Sequence, residues 1–382
     1  MIYHKAGCIL DGNFSIATDY AIGVKDNIIS HIVKSKDIDS GCEVIDHGSG
    51  IIVPGFVNCH THLELSFLKN TLDYSGGFQS WVLQLITKRK NTPLSIIKET
   101  AKLELEKIYE SGTSLIGDIS STGALRDIFL DSDISGYFFY EELGNKPQFG
   151  DVELKSKISF AAHAPHTSSP ELIKKTKEIT SEKNLPFSIH CMESSDEIDF
   201  IRGKNKNWEK FLESRDIFFK SWPLPAATGV QYLDKIGILD NKTMLVHLLY
   251  LESEDLDIIE KKGVNICICP RSNKNLHGRL PEIKKILEKN INVAIGTDSL
   301  ASCDSIDIFD EMKFIYNKYP WLDPADILRM ATINGATALG LESFAGSISE
   351  GKKAEIFYID TEDVNIFDSI IFCESGSRRR II

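Results

Sequence analysis

An α/β chain folding as a (β/α)8 TIM barrel, with a small composite β domain built from both termini, is what the sequence predicts. Three observations carry that expectation. Eight short apolar runs recur between residues 51 and 295, the stretches between them carry helix start signals, and both chain ends read as β. The runs are Ile51–Cys59, Ser114–Ile119, Ser135–Tyr140, Ile158–Ala162, Pro186–Ile189, Thr243–Val246, Val264–Cys269 and Val293–Ile295. Buried strands alternating with helices close into a parallel barrel. An open doubly wound sheet would place a Gly-rich phosphate loop after its first strand. Here that strand ends in His60-Thr61-His62 instead.

The elements follow in order. Ala21–Val24 and Ile28–Val33 flank Lys25-Asp26-Asn27, a hairpin signature. Ser169-Pro170-Glu171 supplies an N-cap, a proline at the first helical position and an acid in the first turn. Asp323-Pro324-Ala325-Asp326 does the same for a helix over Ile327–Leu339, which Gly340 can stop. Beyond Gly340, Ala354–Asp360 is β-like again. The expected division is residues 1–52 and 345–382 for the small β domain and 53–344 for the barrel. Arg378-Arg379-Arg380 reads as a solvated end.

Composition narrows the function. Asp and Glu outnumber Lys and Arg by 55 to 43, a formal charge of -12, which argues against a nucleic-acid partner. No stretch approaches the roughly 18–20 apolar residues that span a bilayer, and Met1–Lys5 has no secretory pattern. A cytoplasmic, non-membrane enzyme with a small-molecule substrate is expected. Its eight scattered cysteines lack any C-x-x-C pair and read as reduced structural thiols.

Barrel chemistry sits at the C-terminal ends of strands. After the first run come His60 and His62, whose spacing of two puts both rings on one face. His190 and Glu193 follow the fifth run, His247 the sixth and Asp298 the eighth. Four of the ten histidines therefore fall at strand ends, with two carboxylates beside them. Three neutral imidazoles and a carboxylate suit one divalent ion, Zn²⁺ first, with Fe²⁺ or Mn²⁺ as alternatives. Such an ion lowers the pKa of a bound water to about 7, and the resulting hydroxide attacks an sp² carbon bearing nitrogen. Glu193 is placed to shuttle a proton to that nitrogen, Asp298 to take one from the water, and His247 to orient the nucleophile.

These residues resemble a known family. Pro54-Gly55-Phe56-Val57-Asn58-Cys59-His60-Thr61-His62 resembles the opening of the amidohydrolase superfamily. Cys269-Pro270-Arg271-Ser272-Asn273, Gly296-Thr297-Asp298-Ser299 and Gly351-Lys352-Lys353-Ala354-Glu355-Ile356 resemble its later motifs, with Glu355 in place of the usual Asp. The likeness runs from about Ile45 to Asp360. It implies His60, His62, His190 and Asp298 as metal ligands, and Glu193, His247 and Asp298 as the proton-handling set. His-x-x-Glu at 190–193 is similar to the mononuclear deaminase branch, and the fourth run leads into Ala162-His163 rather than a bridging lysine.

Within that branch the chain resembles the S-adenosylhomocysteine/methylthioadenosine deaminases through Ala164-Pro165-His166-Thr167. It resembles the aminodeoxyfutalosine deaminases of menaquinone biosynthesis through His62–Ser66, Gly77–Trp81 and Phe139–Leu143. The implied activity is hydrolytic deamination of an adenine-type nucleoside at C6, with release of ammonia. Alternatives are guanine deamination, triazine dechlorination or an imidazolonepropionase-like reaction on the same machinery. His166 is the candidate contact to a substrate hydroxyl or ring, Glu64 to the purine, and Trp81 with Phe78 to an apolar wall. An ordinary amphipathic helix would explain the last pair equally well. No arginine lies between Arg126 and Arg202, so Arg271, Arg279 and Arg89 remain open as anion partners, with Arg271 carried forward as a substrate residue. A homodimer is expected by likeness.

Overall fold

The computed structural model describes residues 1–382 except 151, 153, 155 and 362–364. Eight parallel strands form one sheet in sequential order: β1 (Phe56–Thr61), β2 (Thr113–Ser120), β3 (Ser135–Glu142), β4 (Ile158–Ala162), β5 (Phe187–Cys191), β6 (Thr243–His247), β7 (Asn265–Ile268) and β8 (Val293–Ile295). Almost every residue in them is buried, as expected for strands covered by helices outside and packed side chains inside. The cylinder closes through an isolated parallel bridge between Thr61 and Asp298. The amides of Thr297 and Asp298 both donate to the His60 carbonyl at 3.0 Å. Asn58 pins the same seam, donating to Thr297 Oγ1 at 2.7 Å and accepting from the Thr297 amide at 3.1 Å.

Two further sheets lie outside the barrel. One pairs 28–34, 20–25, 2–5 and 43–46; the other pairs 378–380, 356–359, 51–54, 8–10 and 16–18. The expected hairpin is present, with Asp26 and Asn27 both left-handed (φ 52° and 60°), the geometry of a two-residue type I′ turn.

Three expectations are corrected. Ile51–Cys59 is two strands, because the chain leaves the outer sheet at Gly55 to enter the barrel. Gly55 donates to the Glu355 carbonyl, and a Cβ there would lie 2.2 Å from Ser114 Oγ. The helix expected over Ile327–Leu339 is also two, Pro324–Met330 and Ile333–Ala338. The Ala331 carbonyl at the break accepts from the Val57 amide of β1 at 2.7 Å, so a strand takes the bond that would have continued the helix. Finally, Arg378–Arg380 is a strand and not a solvated end. Arg378 lies over the Phe309 ring and pairs with Asp307 at 2.9 Å, while Arg380 pairs with Glu355. All eight thiols are free, seven of them buried. Among the described residues no helix is long and apolar enough to cross a membrane.

Candidate active site

The strand ends converge as the barrel geometry requires. His60 at the end of β1, His62 just beyond it and His190 on β5 bring their Nε2 atoms together, 3.1 Å from His60 to each of the others. The His62 and His190 rings are parallel to each other and nearly perpendicular to His60. The His190 Nδ1–H donates to the His163 carbonyl at 2.7 Å, which leaves its Nε2 with a lone pair. Burial and then neighbouring histidines hold His60 well below its ordinary range, and burial also lowers His62 although Asp298 pulls it up. Neutral imidazoles whose Nε2 atoms point at one another at 3.1 Å suit a shared cation. Four ligands about 2.0–2.1 Å from a tetrahedral ion stand ~3.3 Å apart. A second trio, Glu141, His163 and His190, is also close enough to be considered. There the His190 Nδ1 is already committed to a backbone carbonyl.

Asp298 follows β8 in a left-handed conformation, φ 59°. Its Oδ2 accepts from Ser272 at 2.6 Å and Ser302 at 2.9 Å, while Oδ1 stands 3.6 Å from His62 Nε2. One carboxylate oxygen is thereby anchored and the other is turned toward the histidines. His247 ends β6 at φ 82°, a conformation that side chains adopt only when their surroundings enforce it. Its Nδ1–H donates to Asn273 Oδ1 at 2.8 Å. Burial keeps the ring below its ordinary range, so its Nε2 is a bare acceptor. Glu193 Oε1 lies 3.8 Å from that nitrogen and 3.3 Å from His277 Nε2. Burial pushes the Glu193 carboxyl up, but His247, His277 and His190 together outweigh burial and hold it well below the usual carboxylate range.

His62, His163, His190, Glu193, His247 and Asp298 line a cavity of about 780 Å³, which is in the size range of small-molecule sites. His166 and Trp81 also line it. His166 is buried against Trp208 at 4.9 Å, and burial holds it down at about 3. Neither of its ring nitrogens has a hydrogen-bond partner among the described residues. Trp81 stacks near Phe78 and donates from Nε1 to the Ala301 carbonyl at 3.1 Å, making a fixed apolar wall on the helix Phe78–Asn91. Glu64 lines the cavity too, but its carboxylate is already engaged. Ser120, Ser121 and Thr122 donate to it, and Arg89 stands 3.7 Å away.

Arg271 requires correction as a substrate residue, because it does not reach the cavity. Its guanidinium pairs with Asp304 and donates to the Ser305 carbonyl at 3.0 Å, which ties down the start of the helix Pro270–His277. Arg279 is likewise turned away, bonded to the Leu249 carbonyl. Of the three arginines left open, Arg89 alone lines the cavity.

Sequence reasoning found the Ser272-Asn273 motif without its purpose. One residue anchors Asp298 and its neighbour sets the His247 tautomer. It missed His277, the His163 carbonyl and Glu141. Glu141 is a buried carboxylate on the cavity wall whose Oε1 has no hydrogen-bond partner, and its position immediately after the predicted end of β3 was the available signal.

The sequence model of the amidohydrolase family matches residues 51–378. The chain belongs to the amidohydrolase family. A 5-methylthioadenosine/S-adenosylhomocysteine deaminase of Pyrococcus abyssi is 31% identical, over 94% of this chain and 85% of its own length. In fold, this amidohydrolase is similar to the crystal structure of Helicobacter pylori aminofutalosine deaminase in complex with methylthio-coformycin, at TM-score 0.84, 20% identity and full coverage of both chains. It is also similar to a zinc-bound adenosine deaminase of Xanthomonas campestris, at TM-score 0.78, 19% identity and coverage of 99% and 90%. The amidohydrolase described here is a hydrolase acting on carbon–nitrogen bonds, in the mononuclear metal-dependent deaminase branch, and takes a single divalent metal ion.

Proposed function

We propose that this amidohydrolase deaminates an adenine-type nucleoside at C6, releasing ammonia, and that aminodeoxyfutalosine is its substrate. The observation that carries the reading is the facing of two sets of groups across one cavity. His60, His62, His190 and the free oxygen of Asp298 form a cation cradle, and the Glu193–His247 pair stands beside it. When bound, the ion supplies the acidity that lets a water ionise near neutral pH.

The chain's own residues do the rest. The bare Nε2 of His247, fixed by Asn273, accepts a hydrogen bond from the attacking water and orients it toward C6. Asp298, anchored by two serines, takes a proton from that water through its free oxygen. That proton passes on to the amino group, which leaves as ammonia because an amide anion is a poor leaving group; Glu193, ionised at rest, takes the water's other proton and delivers it to the ring nitrogen beside C6. Trp81, Phe78 and Trp208 offer flat apolar surface for a base, and His166 offers two unspent ring nitrogens to polar substrate groups. The cavity, about 780 Å³, leaves room beyond a nucleoside for a bulky 5′ substituent. The names of the relatives support the same substrate class.

The test is a panel of aminodeoxyfutalosine, methylthioadenosine, S-adenosylhomocysteine and adenosine, scored by ammonia release and loss of adenine absorbance. Aminodeoxyfutalosine is expected to give the highest kcat/KM. Failure on every 6-aminopurine, with turnover of guanine, a triazine or an imidazolone, would overturn the reading.

A further inference from the structure

Immediately after β5, the chain makes a turn that ordinary residues avoid. Met192 adopts φ 55°, a left-handed conformation that a non-glycine residue keeps only when its surroundings impose it. The very next residue is Glu193, which must leave the strand and enter the cavity. What imposes the turn is a second carboxylate, that of Glu197. It is fully buried on the short helix Ser195–Ile201 and is not among the residues that line the cavity. Its Oε1 accepts the Met192 amide at 2.7 Å and its Oε2 the Glu193 amide at 3.0 Å. On the opposite side, the carbonyls of Cys191 and Met192 accept from the amides of Leu248 and Leu249 at 3.0 and 2.9 Å. The space is tight, for a Cβ on Gly229 would come within 3.2 Å of Cys191 Sγ, Met192 Cγ and Glu197 Oε1 at once.

We propose that Glu197 is a positioning residue, whose buried carboxylate clamps the Met192 and Glu193 amides and so aims the Glu193 side chain at the substrate nitrogen. A buried carboxyl group is a costly way to fill a core position, and burial pushes this one up to about 8 although the two amides pull it down. Two amide donors on two carboxylate oxygens give it a specific task, since an amide side chain in its place would turn an N–H toward one of those donors. The proposal rests on the role given to Glu193 under the proposed function.

The test combines kinetics with an observable that needs no substrate. Glu197→Gln is expected to keep one metal ion per chain and a KM within a few-fold of the parent. Its kcat is expected to fall about 10- to 100-fold. In a Glu193→Gln background the same change is expected to cost several-fold less than in the parent, because what Glu197 does through Glu193 is already lost and only its 3.7 Å contact with His166 Nδ1 remains. Hydrogen exchange in the metal-loaded protein should show the Met192 and Glu193 amides exchanging about tenfold faster in Glu197→Gln, with the other β5 amides unchanged.

Equal losses of kcat in the two backgrounds, or unchanged exchange at both amides, would overturn the proposal. If Glu197→Gln fails to fold, Glu197→Asp takes its place: the carboxyl group stays, the arm is too short for both amides, and the same results are expected. If the parent enzyme deaminates no 6-aminopurine, the deaminase reading falls, and the exchange rates still decide whether Glu197 holds the turn.

Discussion

The mouth of the barrel and the sheet built from the chain ends both bury polar and charged groups, and they use them in opposite ways. At the sheet, Arg378 is matched by Asp307 and Arg380 by Glu355, with aromatic rings beneath both guanidiniums. At the mouth, polar atoms are left unspent: Nδ1 of His60, Oε1 of Glu141 and both ring nitrogens of His166. The backbone differs in the same sense. In the outer sheets, left-handed non-glycine residues include the turn pair Asp26 and Asn27, where the hairpin demands them. Around the mouth they are Met192, His247, Leu248 and Asp298, at strand ends. Nε of Arg378 and of Arg380 also lacks a partner, but only at the mouth do unspent histidine and carboxylate atoms coincide with strained backbone, which marks where the molecule gives up stability for chemistry.

That contrast can be broken by substitution, in falling order of the effect on turnover. Asp298→Ala removes an oxygen from the cation cradle and the acceptor of the Ser272 and Ser302 hydroxyls. Metal analysis and assay are expected to show both metal and activity lost, and full metal with full activity would contradict its assignment. Glu193→Gln is expected to retain the metal while kcat drops about 10²–10⁴-fold, the range for a lost general acid–base group. Asn273→Ala frees the His247 ring to rotate and change tautomer. A fall in kcat of about 10–100-fold is expected with metal content preserved, and unchanged kcat would mean that His247 needs no orienting partner. Arg378→Ala should invert the pattern. It removes the charged partner of the half-buried Asp307, so thermal or urea unfolding should register a loss of about 1.5–3 kcal/mol, with kcat near that of the parent. A large fall in kcat there would show that the two regions are not separable.

How far the sequence reached depends on what kind of force decides each feature. Side-chain alternation on a strand is local, so His60 and His62 on one face and Asp298 after a buried run were legible. The caps at Ser169 and Asp323 were legible for the same reason, and both make the expected bonds to Leu172 and Ala325. Features set by distant partners were not. The split of Ile51–Cys59 follows from Ser114 crowding Gly55, and the break after Met330 from the Val57 amide. Neither contact has a local signature. Arg271 was misread because a long flexible side chain next to a motif can point either way, and Asp304, some thirty residues on, decides its direction. Arg378 looked solvated because three consecutive arginines carry no hint of the Asp307 and Glu355 carboxylates that receive them.

The bridge from Thr61 to Asp298 joins positions 237 residues apart, first strand to last. Bringing such remote segments together carries the full entropic cost of closing a long loop, and it happens only when every strand between them is in place. The reactive centre is therefore the keystone of the ring. A chain that has built seven of its eight staves holds three of the four cradle groups, and chemistry begins with the last one.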